Sequence, residues 1–126
     1  MKIAVLVARI LLGLVFVFFG LNAFFNFLHA PVPPGLAGQF MGALFMSHFY
    51  VVPFGFQILG GLLLLSGRFV SLALVILAPI LVNILTFHIT FAHGAGILPG
   101  LVCTVLWFVI FAGHRDSFTG ILDPKG

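Results

Sequence analysis

Residues 58–80 read ILGGLLLLSGRFVSLALVILAPI: two long apolar runs separated by the single polar step Ser66-Gly67-Arg68. A break this short leaves two helices no option but to fold back antiparallel. Neither run shows the alternation of a barrel strand, and backbone groups in lipid must be satisfied internally, so both read as membrane helices. The same pattern extends both ways along the chain. Spans are expected at about 3–28, 48–65, 69–88 and 97–112. Between the first two, Pro31, Pro33 and Pro34 stop a helix, and Leu36, Phe40, Ala43 and Leu44 recur at helical spacing. This predicts a short interfacial helix over 36–47, with an ordered loop over the bundle mouth as the alternative. The expected fold is all-α: an integral membrane antiparallel four-helix bundle forming one domain, with Pro79 kinking the third span.

The basic residues agree with this plan. Lys2 and Arg9 open the first span, Arg68 stands between the second and third, and Arg115 and Lys125 follow the fourth. The other two breaks, about 29–48 and 88–96, hold no lysine or arginine and four of the five histidines. Cytoplasmic loops collect Lys and Arg, so both termini are expected on the cytoplasmic side of the plasma membrane.

Composition excludes several classes. With 63% hydrophobic and 6% charged residues, the chain is far from the quarter-charged make-up of soluble domains. The net charge of +3 reads as topology rather than nucleic-acid binding. Cys103 has no second cysteine to pair with, which excludes dithiol chemistry within one chain. The first apolar run is too long for a signal-peptide core of about 7–15 residues and is read as a retained helix.

Polar side chains within the spans gather in the outer half. At about 1.5 Å of rise per residue, Gln57 falls near the midplane, and Asn22 and Asn83 about 6 Å outward of it. Asn26 and His88 lie further out. Such groups face a bundle interior or a wet cavity. The expectation is an outward-opening pocket lined by Asn22, Asn26, Gln57, Asn83 and His88, against the alternative of hydrogen bonds between helices. Helical phase strains this set, because Asn22 and Asn26 point away from the Arg9, Gly13, Phe16 and Gly20 side, and His88 is turned from Asn83. No acidic residue lies in the outer half to orient a histidine ring, so no metal site is assigned. At the inner end Arg9 has Asp116 as a candidate ion-pair partner, with snorkelling to headgroups as the alternative.

The chain resembles the DoxX family of small four-helix membrane proteins. The resemblance rests on Arg9-x-x-x-Gly13 with Gly20, Pro33-Pro34, and Gly38-Gln39-Phe40-Met41-Gly42-Ala43-Leu44. It continues through Gly60-Gly61-Leu62-Leu63-Leu64-Leu65, Arg68-Phe69-Val70, Leu77-Ala78-Pro79, Asn83-Ile84-Leu85-x-Phe87-His88 and Arg115-Asp116-Ser117-Phe118. It implies the same fold and an association with membrane oxidoreduction. It also implies an acidic residue where this chain has Gln57.

Two functions are expected from these readings. One is an accessory or binding subunit that holds a small lipophilic, quinone-like ligand, as a homo-oligomer or beside a membrane oxidoreductase partner. The other is a small transporter or channel-like module lined by Gln57 and Asn83. No nucleophile–base pair, carboxylate dyad or cofactor loop supports autonomous catalysis.

Overall fold

The computed structural model describes residues 2–29, 31–94, 96–121 and 123–124; Lys125, assigned above to the inner tail, lies outside them. The described residues are all-helical, with no strand. Five α-helices follow in order: α1 (Lys2–Phe25), α2 (Gly35–Met46), α3 (Val51–Ser66), α4 (Val70–Thr90) and α5 (Leu98–Gly113), then a 3-10 turn at Arg115–Phe118. Each falls within a few residues of the stretch expected from the sequence.

Local chemistry sets the boundaries. α1 ends where Asn26 turns left-handed at φ 50° and its N–H meets the Asn22 carbonyl at 2.7 Å. Asparagine tolerates that backbone better than most residues. α3 ends at Gly67, φ 73°, whose N–H caps the carbonyls of Leu63 and Leu64. This is the glycine-terminated helix end that frees the chain to reverse into α4. Pro99 sits in the first turn of α5, where no donor is lost. Pro79 lies inside α4 without ending it.

α1 packs on α3 and α5, and α4 packs on the same two, so α1, α3, α4 and α5 close a ring. Close approaches fix the directions. A Cβ at Gly13 would lie 2.8 Å from Leu65 Cγ, and one at Gly20 would lie 2.6 Å from Ile58 Cγ1, so α1 and α3 run antiparallel. Gly100 approaches Ile84 and Leu85, and Gly113 approaches Val5, so α5 runs antiparallel to both α4 and α1. Leu12, Phe16, Leu64, Leu74, Leu77 and Ile110 are the large side chains sealed inside. Gly60 and Gly61 are buried on the face that α3 turns inward, together with Gln57 and Leu64.

Outward faces are apolar as well. Leu11, Leu14 and Phe18 on α1, Val75 and Val82 on α4, and Val102 and Val105 on α5 are all exposed. Among the described residues, only α1 and α4 are long and apolar enough to cross a membrane by themselves, with mean hydropathies of 2.7 and 2.5. α3 and α5 have 16 residues each, about 24 Å of helix at 1.5 Å per residue. α2 and α3 meet at 86°, so α2 lies across the end of the ring rather than extending α3.

Candidate functional site

The structure gives the five polar residues expected to line one pocket separate surroundings. Gln57 is buried, 4% exposed, and its Nε2 donates to the Phe16 carbonyl at 3.2 Å, tying α3 to α1. Asn22 accepts the Leu28 N–H on Oδ1 at 2.9 Å, and Asn26 is the left-handed residue that ends α1, so both shape the end of that helix. Asn83 is exposed on α4. His88 is half-buried, its Nδ1 donating to the Ile84 carbonyl at 2.7 Å and its ring facing the loop at Gly96. Helical phase accounts for the separation of the last two. Taking Leu77 as the centre of the buried face of α4, Asn83 lies about 120° away and His88 about 20° away, at 100° per residue.

Two open surface clefts lie at opposite ends of the ring, and none of the five lines either. The outer one is bounded by Phe40, Ala43, Leu44, Ser47 and Phe49 and encloses about 230 Å³. It belongs to an aromatic cap that seats α2. Phe40 stacks on Phe91 at 5.1 Å and meets Phe87 at 5.5 Å, while Phe45 stacks on Tyr50 at 4.8 Å and on Phe54 at 6.0 Å. Tyr50 in turn meets Phe24 of α1 at 5.3 Å. Ring pairs at such distances add to the burial of their area. The Ser47 hydroxyl donates to the Leu44 carbonyl and accepts the Phe49 N–H, which holds the rim of the cleft in a turn. Phe40, Ala43 and Leu44 were legible as part of one helical face; that Ser47 and Phe49 join them depends on the turn and was not.

The inner end differs from expectation in one respect. Among the described residues no ion pair joins Arg9 to Asp116, which is exposed; the Arg9 guanidinium lies over Gly67 at the end of α3. No group of three His, Cys, Asp or Glu side chains with metal-binding proximity occurs among the described residues.

No family model matches this chain, and no curated protein or solved structure matches it either.

Proposed function

We propose that this chain is a four-span integral membrane protein of the plasma membrane, of the DoxX kind, with both termini cytoplasmic. In this reading it serves as an accessory subunit that holds a small lipophilic, quinone-like molecule beside a membrane oxidoreductase. The antiparallel ring with apolar faces inside and out supports the membrane placement, and the Lys and Arg distribution supports the orientation. α3 and α5 cross as short spans, the aromatic cap filling the outer end above α3.

The observation that carries the ligand reading is the outer cleft. Phe40, Leu44 and Phe49 offer apolar surface for a planar ring. The transporter alternative needs a polar path, and the large interior side chains around Gln57 are apolar while Gln57 is spent on the Phe16 carbonyl.

A binding titration tests the proposal. The purified chain in mild detergent is titrated with a short-tailed quinone, followed by quenching of its Tyr and Trp fluorescence. Phe40→Ala is expected to weaken binding by about tenfold, the loss of one buried ring contact. Equal binding by the parent chain and Phe40→Ala would remove the cleft as the site.

A further inference from the structure

We infer that the cleft at the opposite end of the ring from α2 is a site for a phosphate group, presented by an acidic lipid headgroup or as free phosphate. This site is independent of the outer cleft and of what that cleft holds. Lys2, Val5, Leu6 and Arg9 of α1, Gly113 at the end of α5 and His114 after it line this open cleft of about 310 Å³.

The guanidinium of Arg9 is the reason to expect an oxyanion. It carries five N–H donors in a fixed plane and cannot lose its charge. Its Nε is shut off from solvent and has no hydrogen-bond partner among the described residues. A buried donor left unmade costs about 1–3 kcal/mol. The position is also held: Gly67 at φ 73° leaves room for the guanidinium, and a Cβ there would come 2.8 Å from Nη1 and 3.2 Å from Cζ. An arginine held at the wall of an open cleft can offer the outer edge of its guanidinium to the oxygens of an anion.

The rest of the cleft fits the same ligand. Lys2 adds a second cation to the lining. The nearby carbonyl end of α5 is covered by His114, whose Nδ1 donates to the Ile110 carbonyl at 3.0 Å and whose N–H meets the Phe111 carbonyl at 2.9 Å. Val5 and Leu6 supply an apolar wall, as the glycerol and upper acyl carbons of a lipid require. Basic pockets between helices on the cytoplasmic side recognise anionic headgroups in this way.

The test uses the full chain in mild detergent and native mass spectrometry. One arm titrates phosphatidylglycerol against phosphatidylcholine; the other titrates inorganic phosphate. Retained phosphatidylglycerol with no phosphate adduct assigns the lipid source, and the reverse assigns free phosphate. In whichever arm binds, Arg9→Gln is expected to weaken binding by about tenfold. Leu6→Trp, which keeps Arg9 and fills the cleft, is expected to do the same, and it decides the question if Arg9→Gln fails to fold. Arg115→Gln, a cation outside the cleft, should stay within about twofold of the parent chain. Equal binding by Leu6→Trp and the parent chain would overturn the site, as would a loss in Arg115→Gln as large as that in Arg9→Gln.

Discussion

Gln57 is the buried polar side chain of the core, and one hydrogen bond to the Phe16 carbonyl accounts for it. Gln57→Leu removes that bond at similar volume and is expected to lower stability in detergent by about 1 kcal/mol, read as a drop in Tm. Asn83 predicts the opposite. It is exposed, so Asn83→Leu should leave the Tm of the isolated chain unchanged within about 0.5 kcal/mol. A marked fall would mean that Asn83 bridges helices. On α4 the turn of His88 away from Asn83 was legible in the sequence, but which of the two faces the core was not. α4 is apolar all round, with Leu72, Val75 and Val82 outside and Leu74, Leu77 and Leu81 inside, so hydrophobicity gives no sign of which side faces the core. Asn22 lies within α1 but off its buried face, as its helical phase requires; its bond to the Leu28 N–H and the left-handed turn at Asn26 arise from the end of the helix, which phase does not describe.

At the scale of elements, the seam between α1 and α3 depends on missing side chains. A Cβ at Gly61 would meet Val17 Cγ2 at 2.8 Å and the Gly13 carbonyl at 3.0 Å, the latter being backbone that cannot step aside. Gly61→Ala is therefore expected to force the helices apart and cost about 1–3 kcal/mol in detergent. Gly42 in α2 has nothing within 4 Å of the same position. There alanine is expected to be neutral or to stabilise by up to about 1 kcal/mol, from helix propensity. Equal losses at both sites would argue against a close α1–α3 seam. Small residues at a helix interface permit this close packing. The aromatic seating of α2 was not legible in the sequence, since it joins Phe24, Phe40, Tyr50 and Phe87 from four parts of the chain.

For the whole molecule, the central claim is that α3 and α5 cross the membrane although each is short. A two-span arrangement, with only α1 and α4 crossing, predicts different sides for two of the connections. Single cysteines placed in a Cys103→Ala background separate the possibilities, using an impermeant thiol reagent on intact cells. Val32→Cys lies before α2, where Val32 is 78% exposed, and Ser117→Cys lies after α5; both arrangements put these outside and inside, respectively. Phe69, 66% exposed between α3 and α4, and His93, exposed between α4 and α5, are the deciding positions. Four spans predict that His93→Cys is labelled from outside and Phe69→Cys is protected until the membrane is opened. Labelling of Phe69→Cys from outside with protection of His93→Cys would contradict the four-span account.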